Sequence, residues 1–184
     1  AWEYLDSGTG LEDCVPRNRA AFSNIILTPQ FMQGVFEPDV STSLFGVDYD
    51  MPFGVAPVGL TGLMWPGAEK ILAKAAAKHR IPYGLSTVAT EAPETIGPLT
   101  NGMGWFQLYP PRLPELRQDL LKRAKESGFT TLMVTADVPT GSCRERQTRA
   151  GVTVPPKTGL RTVFHAAMRP HWTLETLRYG QPAF

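Results

Sequence analysis

Four short apolar runs in this chain each end on groups suited to holding a polar ligand. Phe53 to Pro57 breaks at Pro57-Val58-Gly59, and Ile81 to Leu85 ends in Ser86-Thr87. Trp105 to Tyr109 carries Gln107 and Tyr109, and Thr130 to Thr135 closes on Thr135 with Asp137 two positions on. Residues two apart on a strand share a side, so Gln107 pairs with Tyr109, and Thr135 with Asp137 if the strand persists. Amide, phenol, hydroxyl and carboxylate groups pack poorly in a core but suit a flat ring rich in heteroatoms. Any one of them also fits a strand simply meeting solvent. Their recurrence on every strand points to a site, because ligands of parallel α/β proteins sit at the carboxyl ends of the strands.

The elements that must position these groups alternate. After Gly59 comes a Gly-rich loop with Pro66, then the Ala/Lys-rich segment Ala68 to His79, a helix expected to bury Ile71, Leu72, Ala75 and Ala76. His79 falls at its end as a surface cap. Ala92-Pro93-Glu94 starts a short helix or turn, and Asn101-Gly102 is a turn signal. Leu113 to Ser127 is the clearest amphipathic helix, with Leu116, Leu120, Leu121 and Ala124 on one side and Gly128 beyond its end. Strands joined by helical crossovers run parallel, which leaves a doubly wound sheet or part of a (β/α)8 barrel.

Upstream, Ala1 to Asp6 reads as a helix end and Glu12 to Ile25 as a second helix, with Val15, Ala20, Phe22 and Ile26 as its buried face. Val40 to Asp50 suggests a small hairpin turning at Gly46. Downstream, Arg144-Glu145-Arg146 and Arg149 form a charge cluster, Val152 to Pro170 is punctuated by Pro and Gly, and Trp172 to Tyr179 reads as a short helix. The chain opens within a helical pattern and stops after Gln181-Pro182, so a piece of a longer protein is expected.

The bulk numbers narrow the function classes. The chain has 184 residues, enough for one domain, and 42% hydrophobic residues, enough for a core. A net charge of +1 argues against a nucleic-acid partner. Cys14 and Cys143 are too few for a disulfide framework and have no metal-ligand spacing, so reduced thiols, a cytoplasmic setting and no metal are expected.

Taken in order, MPFGVAPVGLTGLMWPGAE, GLSTVAT, WFQLY, TLMVTADVP and the Arg144 cluster resemble the FMN-dependent 2-hydroxy acid dehydrogenase/oxidase family, as do Tyr4-x-x-Ser7-Gly8 and Asn18-Arg19-x-x-Phe22 upstream. The loop Gly59-Leu60-x-Gly62-x-x-Trp65-Pro66 and Ser86-Thr87 look closer to mandelate and lactate dehydrogenases than to glycolate oxidase. The resemblance implies the amino-terminal half of a (β/α)8 TIM barrel with an amino-terminal helical segment, residues 1–184 being part of one FMN-dependent domain. It implies FMN at the barrel mouth, with the backbone of Pro57, Val58 and Gly59 toward flavin N5, and Ser86, Gln107 and Thr135 hydrogen-bonding the ring. It implies Tyr4, Tyr109 and Arg144 on the substrate side, Tyr109 also acting in catalysis, and Asp137 as partner of a catalytic histidine. Arg suits a substrate carboxylate, and a carboxylate beside an imidazole fixes its tautomer.

The partners so implied are a small 2-hydroxy acid and a quinone or other electron acceptor, with a homo-oligomeric whole protein. Peripheral contact with the inner membrane is expected through the region from Val152 to Phe184, where Val163, Phe164, Met168, Trp172, Leu174, Leu177 and Tyr179 mix with Arg161, Arg169 and Arg178. The sequence also departs from the family. Val58 stands where a Thr is usual, and Gly10 and Leu11 where acidic residues are usual. His79, His165 and His171 do not match the family's base, which with the second substrate arginine and the phosphate loops belongs to the family's second half. Alternatives are an oxygen-using oxidase, another FMN barrel, and an inactive half-barrel.

Overall fold

A computed structural model describes residues 2–35, 37–136, 141, 143–151 and 159–179. In chain order its elements are α1 (Trp2–Asp6), α2 (Cys14–Ala21), β1 (Thr42–Leu44), β2 (Val47–Tyr49), α3 (Thr61–Met64), α4 (Ala68–Lys78), β3 (Tyr83–Ser86), α5 (Pro93–Ile96), β4 (Gly104–Leu108), α6 (Pro114–Glu126), β5 (Thr131–Val134), α7 (Glu145–Arg149), α8 (Leu160–Ala167) and α9 (Pro170–Tyr179). They fall into two units. One holds residues Ala1–Asp39 and Pro139–Lys157, the other Val40–Val138 and Thr158–Phe184.

In the larger unit, β3, β4 and β5 form a three-stranded parallel sheet in that order. Registers are Ser86 opposite Gln107, and Gln107 opposite Met133. The crossover β3–α5–β4 and the helix α6 between β4 and β5 are the repeating unit of a (β/α)8 barrel, and the fold is part of such a barrel. Tyr83, Leu85, Phe106 and Leu108 face the helices, where they form the core with Ala73, Ala76, Ile96 and Ala124. Phe106 and Phe129 meet edge to face, with centroids 5.8 Å apart. By the two-residue period, Gly84, Ser86, Trp105, Gln107, Met133 and Thr135 face the other side, the barrel interior.

The hairpin is where the sequence placed it. β1 and β2 pair antiparallel, and Phe45 (φ 53°) with Gly46 (φ 80°) turns the chain in the left-handed region that a two-residue hairpin requires. It packs on Trp105, whose indole N–H donates to the Tyr49 hydroxyl at 2.8 Å. The run Phe53 to Pro57 is not a full strand. Val55 alone bridges to Tyr83, because Pro52 and Pro57 lack N–H donors on either side of it.

The α4 stripe is rotated from the expected one. Glu69, Ala73 and Ala76 are buried, and Ile71 is 51% exposed. Small side chains let this helix lie close on the sheet, and Glu69 makes hydrogen bonds that only the inward face offers. On α6, Ala124 is buried and Leu120 and Leu121 pack on the core, whereas Leu116 is 53% exposed. Helices α8 and α9 are linked by the Thr173 hydroxyl, which donates to the Ala166 carbonyl at 2.7 Å. The sequence had marked α9 but not α8. No described helix is long and apolar enough to cross a membrane.

In the smaller unit, α2 is shorter than expected and passes into a 3-10 turn at Phe22–Asn24. Val15, Ala20, Phe22 and Ile26 are exposed there rather than buried, since Arg17, Asn18 and Arg19 break any apolar stripe. The charge cluster turns out to be helical, as α7, with Arg144 as its N-cap residue.

Candidate active site

The strand ends of the larger unit carry a connected polar layer on the interior side. Gln107 is 5% exposed and sits at its centre. Its Oε1 accepts from the Ser86 hydroxyl at 3.0 Å and from the Thr87 N–H at 3.3 Å. Its amide nitrogen donates to the Thr135 hydroxyl at 2.7 Å. Two donors aimed at one oxygen fix which end of the amide is which. The layer therefore has a direction, and among the described residues no further acceptor is recorded for the second amide N–H of Gln107 or the O–H of Thr135. Thr87 stitches the next level. Its hydroxyl donates to the Gln107 carbonyl and accepts the Tyr109 N–H at 3.1 Å, which sets where the half-exposed Tyr109 leaves the strand.

Pro57-Val58-Gly59 lies against this layer because β3 has a glycine at the point of approach. A Cβ on Gly84 would stand 2.7 Å from Pro57 Cδ and 2.9 Å from Pro57 N. The loop after it is held by the Thr61 hydroxyl, donating to the Val58 carbonyl at 2.7 Å, and by the Leu60 N–H, donating to the Val88 carbonyl at 2.9 Å. Below the polar layer an open apolar hollow of about 290 Å³ is lined by residues including Leu44, Val55, Gly84, Trp105 and Met133. The structure thus brings Pro57, Val58, Gly59, Ser86, Gln107, Tyr109 and Thr135 to one end of one sheet.

Tyr4 and Arg144 lie in the smaller unit. Tyr4, on α1, accepts at its carbonyl from the Gln147 amide at 3.2 Å. Arg144 opens α7, and the preceding Cys143 carbonyl accepts the Gly10 N–H at 2.8 Å. Arg146 ties the two segments together, donating to Glu3 at 2.8 Å, Asp6 at 2.7 Å and Glu12 at 3.0 Å. Its guanidinium is held charged well above its ordinary range, first by Asp6, then by Glu12 and Glu3. Asp137 lies outside the described residues. Arg146, Gln147 and Gly84 were not singled out by sequence reasoning as parts of a site. A glycine inside an apolar strand run was the available signal for Gly84, whereas nothing local marks which arginine of a cluster turns inward.

Among the described residues, no group of acidic, histidine or cysteine side chains could hold a metal ion. Cys14 and Cys143 are free and exposed. The donor set is organic: amide, hydroxyl and backbone groups beside a curved, partly apolar surface. A planar heterocycle with both carbonyl and ring-nitrogen acceptors fits it.

The comparisons agree with that chemistry. Residues 1–183 match the model of the FMN-dependent dehydrogenase family. The L-lactate dehydrogenase of Ectopseudomonas mendocina is 38% identical over 181 residues, 98% of this chain and 48% of the relative. That of Stenotrophomonas maltophilia is 34% identical over 98% of this chain and 48% of its own length. Among solved structures, the monotopic membrane protein (S)-mandelate dehydrogenase superposes with a TM-score of 0.89 at 31% identity, over 98% of this chain and 48% of that one. A mandelate oxidase superposes with a TM-score of 0.78 at 29% identity, over 91% of this chain and 49% of its own. The chain belongs to the FMN-dependent dehydrogenase family, and it spans about half the length of the curated relatives it matches.

Proposed function

We propose that this chain forms the flavin-facing part of an enzyme that oxidises a small (S)-2-hydroxy acid, of the lactate or mandelate type, to the 2-oxo acid. The observation that carries this reading is the directed Ser86–Gln107–Thr135 layer with its remaining donors. FMN, when bound, supplies the two-electron redox chemistry. Pro57, Val58 and Gly59 offer it a close backbone wall, and Ser86, Gln107 and Thr135 bind its ring edge. Tyr109 and Tyr4 supply phenols, and Arg144 a guanidinium, to the substrate carboxylate and the reacting oxygen. Asp137 orients the imidazole that takes the hydroxyl proton. That imidazole is none of this chain's own: His79 caps α4, His165 lies on α8, and His171 stacks on Trp65. The assignment of both units to one catalytic domain belongs to this proposal.

The proposal extends to the electron acceptor. Val163, Phe164, Met168, Leu174 and Leu177 are exposed on α8, α9 and the turn between them, alongside Arg169 and Arg178. Apolar groups interspersed with basic ones suit a surface lying on anionic lipid. A quinone in that lipid is then the acceptor, and oxygen the competing one. The test is to purify the whole protein, reconstitute it with FMN, and assay L-lactate and (S)-mandelate with a quinone analogue and with oxygen. Release of FMN on denaturation and turnover of either acid support the reading; a protein that stays colourless refutes it. Tyr109→Phe is expected to lower kcat. Arg144→Met is expected to lower kcat/KM by roughly ten- to a hundredfold, as loss of a charge-assisted hydrogen bond does. Fast peroxide formation by a wholly soluble enzyme would replace the quinone with oxygen.

A further inference from the structure

Glu69 is the buried carboxylate that the proposed reaction does not use. It is 1% exposed, on the inward face of α4. Its Oε1 accepts the Gly62 N–H at 3.0 Å, the Thr90 N–H at 3.1 Å and the Thr90 hydroxyl at 2.6 Å. The Gly62 N–H also reaches the Thr90 hydroxyl, at 3.1 Å. The second oxygen, Oε2, is buried and accepts no hydrogen bond from the described residues. Burying a carboxylate so one-sidedly is a poor way to stabilise a fold, since an apolar pair of similar volume usually does better. What it does well is fix geometry.

The geometry it fixes belongs to both flavin-facing loops. Gly62 follows Pro57-Val58-Gly59 by a single turn, and Thr90 follows Ser86-Thr87. Between them Leu60 is held at φ 56°, a left-handed conformation that a leucine adopts only under constraint, with its N–H on the Val88 carbonyl. The approach at Gly62 is tight: a Cβ there would stand 2.1 Å from the Thr90 hydroxyl. Strain beside a ligand-facing backbone persists only where the surroundings over-determine it, and Glu69 joins the two loops beside the direct Leu60–Val88 and Gly62–Thr90 hydrogen bonds.

We infer that Glu69 is a positioning residue, a clamp that holds the backbone of residues 57–62 against residues 86–90 in the form that receives FMN. This rests on the flavin reading above. The primary variant is Thr90→Val, which keeps the shape and removes the hydroxyl from the clamp; Glu69→Gln, which keeps Oε1 as acceptor, is the conservative partner. In the whole protein without FMN, amide hydrogen exchange at Leu60 and Gly62 is expected to accelerate at least tenfold in Thr90→Val, and less in Glu69→Gln. The dissociation constant for FMN, measured by flavin fluorescence well below the melting temperature, is expected to rise at least tenfold in Thr90→Val. A merely structural role would lower the melting temperature and leave both quantities unchanged in the folded protein, and that result overturns the inference. A wild-type protein that binds no FMN overturns the flavin reading and the clamp's purpose with it. Wild-type binding with unaltered variants overturns the clamp alone.

Discussion

Replacing Gln107 by Leu removes the centre of the polar layer while keeping most of its volume. The Ser86 hydroxyl and the Thr87 N–H lose their acceptor, and the Thr135 hydroxyl loses its donor. A buried polar group left without a partner costs about 1–3 kcal/mol. Ser86 is as deeply buried as Gln107, whereas Thr87 and Thr135 are half-buried and have access to water. The fold should therefore lose about 2–4 kcal/mol, most of it at Ser86, offset in part by the apolar burial of the new leucine. For a protein of this size or larger, a kilocalorie shifts Tm by roughly 2–4 °C, so a fall of about 5–15 °C is expected by calorimetry. FMN binding should weaken by a further, separate amount, because the second Gln107 N–H is withdrawn and Thr135 is free to turn away. One such hydrogen bond with its geometry corresponds to about 1–3 kcal/mol, or roughly a five- to hundredfold rise in Kd. Thr135→Val separates the two effects. It leaves Gln107 Oε1 accepting from Ser86 and Thr87, so Tm should fall less than in Gln107→Leu, but it takes the Thr135 O–H away from the ring, so Kd should still rise. A Gln107→Leu protein with the wild-type Tm and the wild-type Kd for FMN would refute the account of this layer.

In the smaller unit, Arg146→Met should release α1 from α7 and misplace Tyr4 relative to Arg144; substrate KM is expected to rise by up to roughly a hundredfold with Tm little changed, and steady-state kinetics at saturating FMN would show it. Burial, and then the nearby Glu69 carboxylate, pushes the Tyr83 phenol well above its ordinary range. Tyr83 therefore stays neutral in the fold after the unfolded chain begins to ionise: its contribution is complete below about pH 10 and is lost as pH rises beyond it. Urea midpoints from pH 8 to 11 should fall more steeply in the wild type than in Tyr83→Phe. Leu132 and Val134 are 45% and 58% exposed on β5, whose outer edge has no strand neighbour among the described residues. The 184-residue chain made by itself should therefore associate with concentration, and Leu132→Lys should reduce this by light scattering; a monomer with a sharp cooperative melt would contradict it.

What the sequence disclosed followed the range of the forces involved. The strands β3, β4 and β5, the helices α4 and α6 and the hairpin at Gly46 are local patterns of period and turn chemistry, and each stands within a few residues of its expected place. So do the polar strand ends, because a polar residue closing an apolar run is visible without knowing its neighbours. On α4 the expected stripe holds at Leu72 and Ala76 but not at Ile71 and Ala75, because an inner position is taken by Glu69, whose partners Gly62 and Thr90 are apart in sequence and meet only in the fold. The same holds for Arg146, whose partners Glu3, Asp6 and Glu12 are far away along the chain. The strand reading of Phe53 to Pro57 failed for a local reason that was in plain view, the two prolines beside Val55.

This division bears on how the site works. The groups legible in the sequence, Ser86, Gln107, Thr135 and Tyr109, are those that would touch a ligand, and their chemistry is chosen by the ligand. A second set, Gly84, Glu69, Thr87 and Arg146, of which the sequence marked only Thr87 at a strand end, touches other parts of this chain and determines where the first set stands. Gly84 sets the distance between Pro57 and β3, Thr87 the exit of Tyr109, Glu69 the loop bearing Val58, and Arg146 the segment bearing Tyr4. A ring bound by a few hydrogen bonds loses much of its hold when they move by an ångström, since donor geometry degrades steeply with distance and angle. Substitutions in the second set should thus resemble loss of the first in cofactor or substrate affinity while leaving every contacting residue unchanged, which makes Thr87→Val a sharp case. It should displace Tyr109 and lower kcat as Tyr109→Phe does, and the double variant should be little worse than either single one. Fully additive losses in that cycle would show that Thr87 acts by a route other than Tyr109.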